Sequence, residues 1–204
     1  MKNERTLGVI VGMCICVSLS SCQGQSHSSW EATSAALPAG DESETASVDL
    51  YRQGVQALQE RDLENAHERL KAAVTTDERN AFAWMELGIV EYERDNLLEA
   101  AYAFHRAALL EPSRYEPHYN TGMILESVGR YEKAIEAYSK ALKLAPGQVE
   151  VMENLARCYI KTNTKLDTAE ALVKKALPLE HRPEWREWLE TQSRRLQLQG
   201  DRKQ

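Results

Sequence analysis

Nine side chains in this 204-residue sequence have the soft or nucleophilic character that metal binding and covalent catalysis require: Cys14, Cys16, Cys22, Cys158, His27, His67, His105, His118 and His181. None stands in a Cys-x-x-Cys or His-x-x-x-His spacing, the arrangements that bring two donors to one side of a metal ion. No glycine-rich phosphate loop and no nucleophile elbow accompanies them. We therefore expect a protein that is not an enzyme and that holds neither a metal nor another cofactor. Cys158 falls at a position taken by Val90 and Ile124 in earlier segments, which reads as an interior thiol. His118 likewise stands 34 residues after Trp84 and reads as a packed histidine.

Cys22 has a different setting. Lys2 and Arg5 precede the stretch Leu7–Leu19, which is apolar apart from small residues. It is short for a bilayer span and suits the apolar region of a secretory signal. The residues that follow, Leu19-Ser20-Ser21-Cys22, resemble a bacterial lipobox. That resemblance implies that residues 1–21 are a cleaved lipoprotein signal peptide. It also implies that Cys22 is acylated and anchors the chain, two or more acyl chains giving stable attachment. Gln23, where an aspartate would favour inner-membrane retention, points to the outer membrane and a periplasm-facing protein. Residues 22–46, rich in Ser, Ala, Glu and Thr, read as a flexible tether, about 25–30 Å from end to end. A formal net charge of −6 argues against nucleic acid as a partner.

Any binding surface must be carried by the remaining residues, and these repeat. Gly54, Gly88 and Gly122 lie 34 residues apart, with Ala156 a further 34 on. Ala66, Ala100 and Ala134 keep the same beat, as do Ala73, Ala107 and Ala141, then Leu70, Phe104 and Tyr138, and Pro112 and Pro146. The fourth copy continues one residue late with Ala169, Val173 and Ala176. A fixed period of this length signals stacked supersecondary units. Helices are expected at 48–60, 63–76, 81–94, 97–110, 115–128, 131–144, 149–162 and 166–177, joined by turns short enough to force antiparallel pairs. The recurring glycine implies a close helix approach, matched by the alanines, with Leu70, Phe104, Tyr138 and Val173 filling the wider end of each wedge. A last helix over 183–199 puts Trp185, Trp188, Leu189, Gln192 and Leu196 on one face and suits a terminal cap. At the other end, Asp49 and Gln56 replace the apolar residues of later copies, so nothing is expected to stack in front.

The second copy, with Trp84-Met85-Glu86-Leu87-Gly88, Ala100, Phe104, Ala107 and Pro112, strongly resembles the tetratricopeptide repeat, and the resemblance covers residues 47–182. It implies an all-α, right-handed superhelix of four helix-turn-helix repeats, followed by a capping helix and tail over 183–204. It further implies a concave face that docks a partner protein or peptide. Inward-pointing residues of the first helices should be Val48, Tyr51, Val55 and Leu58, then Phe82, Met85, Ile89 and Tyr92. The third copy adds Glu116, Tyr119, Met123 and Glu126, and the fourth Glu150, Glu153, Arg157 and Ile160. The candidate partner-binding set is the apolar part of this row: Tyr51, Val55, Phe82, Met85, Ile89, Tyr92, Tyr119 and Met123. Tyr51 and Val55 occupy places where some relatives of this fold carry a carboxylate-gripping lysine and asparagine, so that clamp is not expected. The whole layout suggests a lipid-anchored adaptor in the cell envelope. The alternatives are an assembly lipoprotein for a type IV pilus secretin and a recruiter of cell-wall enzymes.

Overall fold

The computed structural model describes residues 42–201, and among these every regular element is a helix. Their order is α1 Glu42–Gln59, α2 Leu63–Thr76, α3 Ala81–Glu93, α4 Leu97–Leu110, α5 Glu116–Ser127, α6 Tyr131–Leu144, α7 Val149–Thr162, α8 Leu166–Ala176 and α9 Pro183–Asp201. Consecutive helices pair as α1·α2, α3·α4, α5·α6 and α7·α8; the pairs stack in sequence, with α9 against α8. Residues 1–41, including Cys22, lie outside the described residues.

The boundaries follow local chemistry. Asp62 accepts a hydrogen bond from the Asn65 amide and caps α2, and Asn80 does the same for the Ala83 amide of α3. Each turn within a repeat is closed by one residue in the left-handed region: Arg61, Asp95, Gly129 and Asn163, again 34 residues apart. Only Gly129 adopts that conformation without steric cost. The extra residue in the last turn puts Lys165 there as well. The largest difference from expectation is at α1, which starts at Glu42 rather than 48 and takes in the end of the expected tether. Glu42 and Glu44 favour that helix start through the dipole. Ser47, fully buried, pins the turn by donating to the Ala73 carbonyl at 2.9 Å and accepting from Asn80 Nδ2 at 2.9 Å.

The glycines do more than admit a neighbouring helix. A Cβ on Gly54 would lie 2.5 Å from Leu70 Cγ, one on Gly88 2.5 Å from the Phe104 ring, and one on Gly122 2.5 Å from the Tyr138 ring. The large residue of the second helix thus sits directly on the glycine, not at the wider end of the wedge. In the fourth copy Ala156 restores the methyl, and the smaller Val173 stands opposite; both are fully buried.

Burial divides into two cores. One joins Ala57, Leu70, Trp84, Met85, Phe104 and Ile124, and the other joins Tyr119, Tyr138, Met152, Tyr159, Leu189 and Leu196. Leu189, Gln192 and Leu196 of α9 are buried and its two tryptophans half-buried, so the last helix closes the array. Asp49 and Gln56 are exposed at the other end.

Candidate functional site

The first helices, α1, α3, α5 and α7, with α9 after them, line the inner face. Its front, on α1 and α3, is open. Tyr51 and Val55 are half-buried, and Phe82 is 48% exposed. The Tyr51 and Phe82 rings lie 6.4 Å apart at 54°. An open depression of about 510 Å³ runs along α1 and is lined by Tyr51, Arg52, Val55, Gln56, Gln59 and Glu60. Tyr92 is half-buried at the far edge of this region.

The other four members of the expected set are core residues. Met85 and Ile89 are each 3% exposed, Tyr119 2% and Met123 8%. The side of each first helix that faces inward also meets the next repeat, and that contact covers these positions. Tyr119 is committed further: its hydroxyl accepts from Asn154 Nδ2 at 3.1 Å, and its ring lies 5.8 Å from that of Tyr138. The surface open to a partner therefore reduces to Tyr51, Val55, Phe82 and Tyr92.

Two polar groups at the front were not singled out from sequence. Glu86 follows Phe82 by one turn. Burial pushes its carboxyl up to about 7 against the pull of Arg114. Arg114 cannot hold it more firmly, because its guanidinium bonds Glu116 at 3.1 and 3.4 Å and lies 5.0 Å over the Phe82 ring. One cation is shared by two carboxylates, and Glu116 has it. The second group is Asn120, 3% exposed, whose amide oxygen and nitrogen both lack a hydrogen-bond partner. It borders a seam with Tyr92, Phe104 and Met123 that is too tight for water. Leaving such an amide unpaired costs about 1–3 kcal/mol. The signal was present in the register: Arg52, Glu86, Asn120 and Asn154 form a row that is polar in every copy.

The rear of the face is closed by its own charges. Arg157 donates to Glu126 at 2.6 and 2.9 Å, and the Tyr138 hydroxyl donates to the same carboxylate at 3.0 Å. Arg182 donates to Glu153 at 2.6 Å and grips Glu180 through side chain and backbone. Both guanidiniums lie over Trp185, 5.1 and 5.3 Å from its ring centre. Burial, then the adjacent Glu180, raises Glu153 to about 8. Burial would raise Glu180 too, but the bonds from Arg182 and Glu153 prevail and hold it at about 2. The pair thus keeps one proton. Burial, with Glu126 nearby, pushes the Cys158 thiol up to about 12, which leaves it unreactive. Burial, then Lys140, lowers His118. Among the described residues no group of three His, Cys, Asp or Glu side chains is placed to hold a metal ion, and no helix is long and apolar enough to cross a membrane.

Comparison with known proteins agrees with this architecture. Tetratricopeptide repeat models match residues 51–117 and 126–189, together well over half of the chain. Human tetratricopeptide repeat protein 8 is 26% identical over 115 residues, 56% of this chain and 21% of that protein. Photosystem I assembly protein Ycf3 of Cuscuta gronovii is 32% identical over 85 residues, 40% of this chain and 51% of that protein. The chain thus spans about half or less of the length of these curated relatives. Among solved structures, MamA superposes with a TM-score of 0.61 at 29% identity, covering 65% of this chain and 77% of that one. PilF of Pseudomonas aeruginosa gives 0.64 at 22% identity over 79% and 72%, a likeness of fold. The first such domain of RPAP3, bound to an HSP90 peptide, gives 0.57 at 15% over 59% and 96%, again a likeness of fold. With the 34-residue period, the glycine-on-aromatic packing and these matches in agreement, the chain belongs to the tetratricopeptide repeat family.

Proposed function

We propose that this protein is a lipid-anchored adaptor of the bacterial cell envelope, and that it docks a peptide or helix of a partner protein on the front of its inner face. The observation that carries the docking reading is the contrast in exposure along that face. Arg157 and Arg182 at the rear are bonded to Glu126, Glu153 and Glu180, whereas the front offers exposed Phe82 with half-buried Tyr51 and Val55. A bound segment would cover the exposed ring of Phe82 and the half-buried ring of Tyr51. Aromatic anchors of this kind often contribute 2 kcal/mol or more, on the order of thirtyfold in affinity. The anchor and the extracytoplasmic address rest on the sequence around Cys22, with the outer membrane favoured by Gln23. Assembly of an envelope machine, including a type IV pilus secretin, and recruitment of a cell-wall enzyme are the roles this layout suits.

Two experiments test the two halves of the proposal. Cys22→Ala should abolish acylation and leave an uncleaved precursor; unchanged processing, or wild type without acyl mass, removes the anchor. Tyr51→Ala with Phe82→Ala should lose capture of the partner that wild type retains from detergent-solubilised envelope, with circular dichroism unchanged. Equal capture by the two proteins would place the site elsewhere.

A further inference from the structure

The second helices present their outer faces to solvent, and the 34-residue period allows each position to be compared with its counterparts. In the first copy the outermost positions are Glu64, Glu68, Lys71 and Thr75, and in the third Glu132, Glu136, Ser139 and Lys143. Helix α4 of the second copy departs from this pattern with Leu98, Tyr102, His105 and Leu109. Leu98 is 83% exposed, Tyr102 55% and Leu109 64%, and His105 is also exposed. At 100° per residue these four fall within about 60° of arc and form a single ridge about 16 Å long. Leu98 and Tyr102 stand where both other copies carry glutamate, and Leu109 where they carry Thr75 and Lys143. Packing within the repeat does not require Leu98 or Leu109, because the buried positions of α4 are Ala100, Ala103, Phe104 and Ala107; Tyr102 does meet a neighbour there, its ring edge-on to Trp84 at 5.7 Å.

We propose that this ridge is the contact surface for a second copy of the chain, with the two α4 helices antiparallel. The argument for a second copy is the opposite charge of Glu99 and Arg106 beside the ridge. Like any helical stripe stepping by four, three and four, the ridge maps onto itself under a two-fold axis across the middle of α4, which sets Leu98 on Leu109 of the second copy and Tyr102 on its His105. Such an isologous contact uses one patch twice and closes on itself. The flanks agree with it. Glu99 and Arg106 lie on the same side of the ridge, and the two-fold brings each within about one turn of its opposite charge on the second copy. Arg106 is held beside the ridge, 5.2 Å over the Trp84 ring and 3.3 Å from Glu78. The other flank is Ala101 and Ala108, small enough for the helices to approach closely. The ridge is smaller than the roughly 800 Å² per partner of a standard interface, so the dimer is a weak one, populated at high local concentration.

The test uses the full chain in density-matched detergent. Sedimentation equilibrium should show a reversible monomer–dimer exchange. Leu98→Glu with Leu109→Lys, which installs the third copy's residues, should raise the dissociation constant at least tenfold. Tyr102→Glu, the residue of both the first and third copies, serves in its place should that pair reduce helicity. Geometry is read by disulfide trapping with Cys14, Cys16 and Cys22 replaced by serine. A mixture of Leu98→Cys and Leu109→Cys chains should cross-link more than either chain alone. A monomer at all concentrations, a dimer indifferent to these substitutions, or dominant cross-linking of Leu98→Cys with itself would each overturn the proposal.

Discussion

The front and rear of the inner face occupy the same positions on successive first helices, yet they differ in how their groups are satisfied. At the rear, Glu126, Glu153 and Glu180 each find a guanidinium, and Trp185 lies beneath both arginines. At the front, Arg114 is taken by Glu116, Glu86 is left with a raised carboxyl pKa, and Asn120 has no partner at all. Carboxylates already held by guanidiniums offer a ligand little, because a new charged bond must replace an existing one. The exposed ring of Phe82, with the under-compensated Glu86 one turn further along α3, is where an added contact gains most. The rear therefore reads as architecture that fastens α9 to the array, and the front as a surface for another molecule.

The comparison is tested most severely through the glycines. Gly88→Leu and Gly122→Leu each force a side chain into a ring that already leaves no space for a Cβ. Overpacking of this kind costs typically about 1–3 kcal/mol and occasionally more. Gly122→Leu should cost more than Gly88→Leu, because displacing Tyr138 also breaks its 3.0 Å bond to Glu126 and disturbs Arg157. Phe104 carries no such network. Equal melting temperatures for the two variants would mean that the rear charges contribute nothing to packing.

Next in size is a pair of truncations. Arg157→Ala leaves Glu126 without its cation and Trp185 without one of its two covers. Removing one partner of a buried pair costs about 3–5 kcal/mol, and partial solvent access at Arg157 reduces this to about 2–3 kcal/mol. Phe82→Ala, at a side chain nearly half exposed, should cost about 1 kcal/mol or less. Thermal melts of the two variants check this directly. A front variant as destabilised as the rear one would make Phe82 a core residue and remove the basis for a docking surface.

Much of this architecture could be read from residue types, and the part that could not has a definite cause. Helices α2, α4, α6 and α7 match the expected boundaries because the period repeats apolar spacing, turn residues and proline stops together. The start of α1 did not, since Ser47 is secured by Ala73 and Asn80, contacts far along the chain. The left-handed turn residues share a period but not a residue type, so Arg61, Asp95 and Asn163 gave no sign of it. The inner row was placed on the right face, yet helical direction alone does not say which members the neighbouring repeat covers. Met85, Ile89, Tyr119 and Met123 were covered, while Tyr51 and Phe82 were not. Asn120 was missed because an asparagine in a helix normally reads as solvated, and its isolation arises only when the repeats stack.

The smallest effect expected is in pH dependence, and its sign separates the two carboxyls of the rear cluster. Glu153, whose folded pKa of about 8 lies above the ordinary 4.5, contributes stability that is complete below 4.5 and drains away as pH rises through 8. Glu180, held at about 2, contributes stability present above 4.5 and lost as pH falls through 2. Of these two, only Glu153 changes between pH 5 and 8.5, since Glu180 stays ionised across that range; Glu86, at about 7, titrates alike in wild type and variant. The charged groups acting on Glu153 are Glu180 and Arg182, both ahead of α9. Ionising Glu153 places a second negative charge beside Glu180, with Arg182 left to hold both. Glu153→Gln keeps the shape and hydrogen-bonding capacity of the neutral acid and removes the titration. The variant should match wild type near pH 4.5 and exceed it near pH 8.5 by about 1 kcal/mol, a melting shift of about 2–4 °C for a chain of this size. Arg182 limits the effect by compensating part of the new charge. A variant that is less stable than wild type at pH 8.5 would show that ionised Glu153 is the form the fold requires, and that the rear cluster holds no proton.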